Sequence, residues 1–290
     1  MKRRFVIAVF ASLAASGALA FESTATAQEI QLTGPLKGAP AVRDLRLYRE
    51  GRLEISPTVG FTLLDEYRRT ILFGGQLNYA IKDWLAIGAW GAYGAISTET
   101  NLTEQINEVA PRDTLTATQV IHNNNPSGNI GAGPDFADQT AKINYMIAPQ
   151  ITFIPFRGKL AIFNKIFVDS DFYIAGGVAF VGIEERKPCG GANQLTCNEP
   201  DSFELGPQTK IAPTFGVGFK FYPGNFWSIG VEYRAVPFSW NRAGFDTRGS
   251  GPNGDFPDGQ INSQDDTFKF NMLVNVMIGF YLPPSPKLSD

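Results

Sequence analysis

Residues 209–222, TKIAPTFGVGFKFY, alternate between two kinds of side chain along their length. From Ile211 to Phe221 every second residue is large or apolar, and the residues between them, such as Lys220 and Gly216, are small or polar. A period of two residues indicates a β-strand. In a soluble sheet the phenylalanine row would form the core. In a membrane barrel that row would face lipid, and the lysine–glycine row would line the interior.

The first residues of the chain have the features of a secretory signal peptide. Basic residues precede a short apolar run, and two cleavage patterns of small residues follow at 18–20 and 25–27. The run is too short for a membrane helix, and no stretch of about 18 apolar residues occurs elsewhere. We expect a signal peptide over 1–27, cleaved after Ala27 or, as the alternative, after Ala20. Any membrane span of the exported protein would then be a β-strand.

Eight segments of the chain carry this alternation or a glycine-rich form of it. They are 51–63, 70–81, 83–96, 141–154, 171–183, 209–222, 226–238 and 267–281. Most of them are much longer than a typical soluble strand of about 5 to 6 residues. A strand needs about 9 to 11 residues to cross the hydrocarbon of a membrane. The number and length of the segments therefore favour a transmembrane barrel.

The links between these segments are sorted by length. Long polar links, at 97–140, 184–208 and 239–266, follow the third, fifth and seventh segments, and tight turns follow the second and sixth. All long links therefore meet at one end, as in outer-membrane barrels with long extracellular loops and short periplasmic turns. The sequence predicts an all-β fold: an eight-stranded antiparallel transmembrane up-and-down β-barrel with three long extracellular loops. Its predicted parts are a periplasmic N-terminal segment (28–50), the barrel (51–282) and a periplasmic tail (283–290).

Three local features refine this prediction. Aromatic residues near the strand ends predict interface girdles: Tyr79, Trp84, Tyr222, Trp227 and Tyr281 at the turn end, and Tyr67, Tyr93, Trp240 and Phe268 at the loop end. Proline cannot donate to the ladder, so Pro57, Pro149 and Pro213 predict bulges or locally broken pairing. The link 156–170 is too long for a tight turn. A short helix at the periplasmic rim is the favoured interpretation, and an inward extension of the flanking strands is the alternative.

Three stretches of the sequence resemble one known family. They are GPLKGAPAVRDLRLYREGRLEISPTVGFTLLDEY (34–67), QLNYAIKDWLAIGAWGAYG (76–94) and GKLAIFNKIFVDSDFYIAGGVAFVG (158–182). Here the chain is similar to the outer-membrane β-barrel domain family of myxobacteria and their relatives, with a small OmpA/OmpX-like barrel architecture. The resemblance implies an outer-membrane location and, for some members, a place in envelope-spanning assemblies. It carries no catalytic signature.

Polar side chains alternate with the predicted lipid-facing rows and would point into the barrel. These residues are Arg52, Glu54, Gln76, Asn78, Lys142, Gln150, Lys220, Glu232, Arg234 and Lys269. An eight-stranded barrel has an interior that side chains nearly fill, and buried charges generally persist only when they are paired. The favoured interpretation is therefore a closed polar network, and a narrow ion-selective pore is the alternative.

Histidine and cysteine usage bears on catalysis and on loop structure. The one histidine, His122, lies in the loop VIHNNNPSGN, with no serine or acid at a recognisable spacing from it. A solvated loop residue is the favoured interpretation, and an outer-membrane lipid-modifying enzyme is a distant alternative. Cys189 and Cys197 are near neighbours in an exported chain and predict a disulfide.

The predicted extracellular loops are acidic. Loop 97–140 carries six acidic residues against Arg112, and the other two loops each carry five against two basic residues. In the third loop Asp246, Asp255, Asp258, Asp265 and Asp266 offer closely spaced oxygen ligands. Calcium binding is one interpretation of this spacing. Because the spacing does not match an EF-hand, a solvated loop without a cofactor is the favoured one.

These features together predict a non-enzymatic outer-membrane protein with a structural or docking role in the cell envelope. The acidic loops would contact a partner, lipopolysaccharide or cations. The other expected partners are outer-membrane lipid, the barrel-assembly machinery and other envelope proteins. The net charge of −3 argues against nucleic acid. A narrow ion-selective channel is the alternative function.

Overall fold

The structure, a computed structural model, describes residues 48–109, 136–162, 166–197, 199–251, 253–254 and 256–284. All of them belong to one compact unit, Asp44–Asp290. The predicted signal peptide, most of the predicted periplasmic segment, His122 and Asp255 lie outside the described residues. Among the residues that are described, no helix is both long and apolar enough to cross a bilayer.

Strands make up most of the described chain, and most of them follow the alternating stretches of the sequence. In chain order the elements are β1 (Leu53–Leu63), β2 (Arg68–Lys82), β3 (Leu85–Glu99), α1 (Asn101–Val109), α2 (Phe136–Gln139), β4 (Lys142–Ile162), β5 (Ile166–Arg186), a 3₁₀ turn (Pro200–Phe203), β6 (Leu205–Tyr222), β7 (Trp227–Ala235), β8 (Phe238–Trp240), β9 (Thr267–Lys269) and β10 (Met272–Leu282).

Eight of these strands close into a hydrogen-bonded ring. Its order is β1–β10–β7–β6–β5–β4–β3–β2, and all neighbours are antiparallel. The ring confirms the predicted eight-stranded antiparallel barrel. β8 and β9 form a separate two-stranded sheet at the loop end. The predicted last strand, 267–281, is therefore divided. The division falls at Asn271, whose φ of 36° cannot continue an extended strand.

The two faces of the barrel wall differ as the alternation predicts. On β6 the side chain of Phe215 is 57% exposed, whereas its neighbour Thr214 is completely buried. β7 follows the same rule, with Val231 outside and Glu232 inside. The phenylalanine row of β6 thus belongs to an apolar outer face, which suits contact with lipid rather than water.

The link 156–170 is strand rather than the favoured helix. β4 and β5 continue to pair from Phe156–Phe172 to Ile162–Ile166, beyond the last pair between β3 and β4. At the start of this extension Phe156 lies opposite Phe172, and their ring centroids are 6.1 Å apart. Such cross-strand pairs stabilise a two-stranded extension. The alternative interpretation, an extension of the flanking strands, describes the observed pairing.

Two of the in-strand prolines coincide with gaps in the ladder. β1 lacks pairs with β10 at Ser56 and Pro57, and β4 lacks pairs with β5 at Ala148 and Pro149, although the register continues on both sides. Pro213 lies beyond the last β6–β7 pair, where that ladder has ended. Broken pairing rather than a bulge therefore accommodates the missing N–H groups.

Replacing Phe215 with arginine is expected to destabilise the barrel by roughly 2–4 kcal/mol, because a charge on the lipid face is most unfavourable near the midplane. The matched control is Thr209→Arg, on the same face of β6 but near its loop end, where the loss should fall to about 0–1 kcal/mol. Denaturant unfolding in lipid vesicles measures both. Equal losses would contradict the assigned membrane depth. Thr214 is no substitute control, because its hydroxyl accepts a hydrogen bond from Arg234.

Candidate functional site

The centre of the barrel interior holds a completely buried ion pair. Glu232 and Arg234 lie on the inward face of β7, and Arg234 Nε donates to Glu232 Oε1 at 2.7 Å. Arg234 also donates to Gln150 Oε1 at 2.7 Å and to Thr214 Oγ1 at 3.1 Å. Its guanidinium lies over the ring of Trp90, 4.5 Å from the centroid. The charge of Arg234 is therefore compensated on several sides.

Glu232 has further partners on β5 and β10. The Tyr173 hydroxyl donates to Glu232 Oε2 at 3.0 Å, and Asn275 Nδ2 donates to Oε1 at 3.1 Å. Gly218 leaves room for this arrangement, because a Cβ at that position would lie 2.6 Å from the Tyr173 ring. The glycines of the lysine–glycine row thus serve the packing of large interior side chains.

A second buried ion pair lies nearer the turn end. Lys220 of β6 donates to Glu54 of β1, and Glu54 also accepts from Ser56 at 2.7 Å and from Asn78 at 3.4 Å. Both charged groups are nearly inaccessible to solvent. Pairing across the ring compensates the burial of each charge.

The segment before β1 closes the turn-end mouth. Arg49 forms a buried ion pair with Asp171 and donates to the Tyr222 hydroxyl at 2.9 Å. That hydroxyl lies 3.2 Å from the hydroxyl of Tyr281. Arg52 donates to two main-chain carbonyl oxygens at the same rim. These side chains line a cavity of about 20 Å³, which holds about one water molecule.

The loop-end half of the interior is apolar. One buried cluster joins the inward side chains of the wall to the chain that follows β7: Leu72, Trp90, Ala92, Ala141, Ile143, Met146, Ala148, Ala179, Val181, Ile183, Ala212, Val236, Phe238, Trp240 and Leu273. Val236, Phe238 and Trp240 reach the cluster because β7 ends at Ala235 and the chain turns inward into β8. Apolar packing, which the sequence did not predict, therefore covers the polar network from the loop side.

Most of the predicted lumen residues lie in the polar half. Arg52, Glu54, Gln76, Asn78, Gln150, Lys220, Glu232 and Arg234 are all buried. Lys142 and Lys269 lie elsewhere. Lys142 pairs with Glu184 at 2.7 Å, because an irregularity in the pairing between Ile143 and Tyr145 shifts the alternation of β4. Lys269 belongs to β9 and pairs with Glu66 at 2.8 Å.

The predicted aromatic girdles are only partly on the outer face. Tyr79, Trp84 and Tyr93 are exposed there, whereas Phe268 is exposed on β9, outside the ring. Tyr222 and Tyr281 instead point into the turn-end mouth, and Trp240 is buried at the loop end. On their strands these two tyrosines alternate in step with the inward-facing residues. Their side chains therefore point inward, although both residues lie near a strand end.

The loop-end elements 187–204, β8, β9 and 241–266, here called the cap, are tied together by covalent and main-chain links. The predicted disulfide between Cys189 and Cys197 is present, with a Cα–Cα distance of 5.1 Å. Cys189 and Ile261 exchange main-chain hydrogen bonds of 3.1 and 3.0 Å. The loop after β5 is thereby joined to the loop between β8 and β9.

Arg186, at the end of β5, is a further tie within the cap. It is 2% exposed, and its Nε, Nη1 and Nη2 donate to the main-chain oxygens of Ser202, Gly244 and Cys197 at 3.0, 2.9 and 2.9 Å. Its guanidinium lies 3.7 Å from the ring centroid of Phe203. In the sequence it is one of the two basic residues of the link 184–208, and no local pattern marks it as buried.

The acidic residues of the third loop have different surroundings. Asp265 accepts main-chain hydrogen bonds from Thr247, Arg248 and Asn262 at 2.8, 3.0 and 2.9 Å. Asp266 pairs with Lys210 at 2.7 Å. Burial raises the pKa of Asp246, and the negative charges of its neighbours add to that effect. Within the described ranges, no group of three or more histidine, cysteine, aspartate or glutamate side chains could hold a metal ion.

Several loop acids are neutralised by basic residues that the loop charge counts did not include. Lys142 pairs with Glu184, and Lys210 lies 3.3 Å from Glu185 and 2.7 Å from Asp266. Lys210, a residue of β6, therefore reaches into the cap through Asp266. The described part of the loop end is less acidic than its loop sequences alone indicate.

Comparisons with known proteins assign the chain to no family. No family model matches the chain, and no curated protein matches it in sequence. Among solved structures, the chain is similar to the N-terminal β-barrel domain of Pseudomonas aeruginosa OprF, with 9% identity, 80% of this chain and 98% of that chain covered, and a TM-score of 0.38. The outer membrane protein OprG of Pseudomonas aeruginosa gives 9% identity, coverage of 82% and 99%, and a TM-score of 0.39.

A third similar structure is Ail, the attachment invasion locus protein of Yersinia pestis, with 9% identity, coverage of 80% and 99%, and a TM-score of 0.30. The fold assignment rests on the closed ring of eight antiparallel strands and its apolar outer face. These features define a small β-barrel of the outer-membrane type. The resemblance to the myxobacterial family stays a prediction.

The disulfide is expected to stabilise the 190–196 loop by about 2–3 kcal/mol, because it closes a short loop. Replacing both Cys189 and Cys197 with serine should accelerate hydrogen exchange in this loop and leave exchange in β1 and β10 unchanged. Thiol labelling of the unreduced, denatured protein should find neither cysteine free. Complete labelling of both cysteines would contradict the bridge.

Proposed function

We propose that the protein is a non-conducting outer-membrane β-barrel with a structural or docking role in the cell envelope. The observation that carries this proposal is the filling of the barrel. The Glu232–Arg234 pair occupies the centre, and Trp90, Phe238 and Trp240 pack on its loop side. An ion crossing the barrel would have to displace paired buried charges and then pass apolar side chains, and both steps are unfavourable.

A docking role is supported by the internal order of the cap. The disulfide, the Cys189–Ile261 pairing and the Arg186 hydrogen bonds fix its loops before any partner binds. A surface that is already ordered loses less conformational entropy on binding. Its outer side exposes Leu195 and Phe256, which are 48% and 57% accessible. Large exposed apolar side chains of this kind are suited to contact with a protein or lipopolysaccharide.

The apolar outer face and the predicted signal peptide support an outer-membrane location. Barrel-assembly machinery, outer-membrane lipid and lipopolysaccharide are the partners that such a location provides. The resemblance to the myxobacterial family supports a place in a larger envelope assembly. We expect the protein to fractionate with outer membranes and to migrate differently on gels before and after heating. Recovery as a soluble periplasmic protein would contradict the proposal.

Conductance of the purified protein in planar lipid bilayers separates this function from the narrow channel. We expect no steady conductance above the bilayer background at either sign of voltage. A reproducible, ion-selective single-channel conductance would instead favour the channel and would show that the buried network opens.

Site-specific photo-cross-linking in intact cells tests the docking role. A cross-linking residue at Leu195 or Phe256 should give a defined adduct with an envelope protein or with lipopolysaccharide. The matched control is the same residue at Ile147, which is 53% exposed on the outer face of β4 and should give only lipid adducts. Identical adduct patterns from the cap and from Ile147 would contradict docking through the cap.

A further inference from the structure

Three buried side chains around the turn-end cavity each have one polar atom without a hydrogen-bond partner. Arg49 and Arg52 precede β1, and Thr152 lies on β4; they are 5%, 3% and 2% exposed. The unpartnered atoms are Arg49 Nε, Arg52 Nη1 and Thr152 Oγ1. All three side chains line the same cavity of about 20 Å³. Each of these atoms can donate a hydrogen bond, so the group that satisfies all three must be an acceptor.

The two arginines are held side by side by a pair of tyrosines. The guanidinium of Arg49 lies 4.6 Å from the ring centroid of Tyr222, and that of Arg52 lies 5.2 Å from the ring centroid of Tyr281. The two tyrosine hydroxyls are 3.2 Å apart. Burial lowers the pKa of Arg52, and the positive charge of Arg49 adds to that effect. The rings compensate only part of the two charges.

The carboxylates that line this cavity are already paired with other cations. Asp171 pairs with Arg49. Glu54 pairs with Lys220. Arg52 donates instead to two main-chain oxygens, at 3.1 and 3.0 Å. Three cations and two carboxylates therefore line the cavity, and among the described residues Arg52 has no carboxylate partner. A buried charge without a countercharge is unfavourable, so the missing acceptor should also carry a negative charge.

We propose that Arg49, Arg52 and Thr152 bind a chloride ion at the turn-end mouth. Chloride accepts hydrogen bonds from all three donors and supplies the missing negative charge, whereas a water molecule supplies no charge. The cavity has about the volume of one water molecule, which suits a monatomic anion and is too small for sulfate. The bound ion ties the segment before β1 to the wall at β4 and keeps this mouth closed. The site does not depend on what the cap contacts.

Crystals of the full chain grown with bromide in place of chloride test the site directly. Bromide is a monatomic anion of similar size, and its anomalous scattering distinguishes it from water. We expect one anomalous peak within hydrogen-bonding distance of Arg49 Nε and Arg52 Nη1. The substitution Thr152→Val keeps the size of the side chain but removes a donor, so it should weaken the peak. Density without an anomalous signal at this position would identify a water molecule and would overturn the proposal.

Denaturant unfolding in lipid vesicles provides a second measurement, with chloride replacing gluconate at constant ionic strength. Chloride should raise the free energy of unfolding of the wild type, because only the folded protein binds it. Thr152→Val should need at least tenfold more chloride for the same gain, since it loses one hydrogen bond to a charged group.

Arg52→Gln should abolish the chloride response, because it removes the uncompensated charge. The matched control is Arg248→Gln, at an exposed arginine of the cap, which should respond as the wild type does. The proposal is wrong if chloride does not stabilise the wild type. It is equally wrong if Thr152→Val or Arg52→Gln keeps the full wild-type response.

Discussion

Replacing Glu232 with glutamine is expected to lower the free energy of unfolding by about 3–5 kcal/mol, because it leaves Arg234 buried without a countercharge. The two side chains are completely buried, and their atoms lie 2.7 Å apart. Glutamine keeps the size of the side chain, so the loss reports charge compensation rather than a cavity. Denaturant unfolding in lipid vesicles measures the change.

An exposed ion pair of similar length provides the control for this experiment. Lys187 and Glu204 lie 2.6 Å apart, with side chains 49% and 63% exposed. The substitution Glu204→Gln should change the free energy of unfolding only slightly, since exposed pairs contribute little. If Glu232→Gln and Glu204→Gln give the same small loss, the central network does not hold the barrel closed.

A double variant separates the net contribution of the buried pair to stability from the penalty of removing only one of its partners. Arg234→Met alone should also destabilise, because Glu232 would then be buried without its cation. Arg234→Met combined with Glu232→Gln should recover part of the loss, since replacing both members of a buried pair is often nearly neutral. Losses that simply add would indicate that the two side chains act independently.

Much of the wall could be predicted because one physical rule decides it. Side chains alternate across a strand, so a run such as Phe215, Val217 and Phe219 fixes one face toward lipid and places Gly216 and Gly218 inside. The same rule puts Tyr222 inside, with Lys220, although its place at a strand end suggested a girdle. The alternation alone therefore predicts that Tyr222 points inward. The girdle prediction was wrong for Tyr222 because it used only its position near a strand end.

The residues that fill the loop-end half of the barrel could not be predicted from this rule. After Ala235 the apolar residues change parity, and Val236, Phe238 and Trp240 follow the inward row of β7 rather than its lipid-facing row. The rule that places apolar side chains outside therefore fails for them, because the chain leaves the wall. Lys142 was misplaced for a related reason. A single irregularity in the pairing near Asn144 shifts the alternation, and only the pairing with β5 shows where it falls.

The charge of the cap also depends on contacts distant in sequence. Counting charges within loops missed Lys210, which lies on β6 but contacts Glu185 and Asp266. The basic and acidic partners are separated by up to 56 residues. A local count cannot include such pairs, because only the fold brings the partners together.

Replacing Arg186 with methionine is expected to release the cap while leaving the barrel folded. The substitution removes the guanidinium that donates to the main-chain oxygens of Ser202, Gly244 and Cys197. Hydrogen bonds to a charged group contribute about 1.5–3 kcal/mol each, and buried carbonyls left unpaired are unfavourable. The combined loss for opening the cap should be about 3 kcal/mol or more, which is roughly a 100-fold rise in exchange rate.

Hydrogen exchange of residues 197–204 and 241–246 measures this release, with β1 and β10 as internal references. The matched control is Arg248→Met, because Arg248 lies in the same cap with an exposed side chain. Arg186→Lys keeps the charge but cannot reach three acceptors at once, so it should exchange nearly as fast as the methionine variant. If lysine restores wild-type protection, charge alone holds the cap. If Arg186→Met exchanges like Arg248→Met, the Cys189–Ile261 pairing joins the loop after β5 to the loop between β8 and β9 without any help from Arg186.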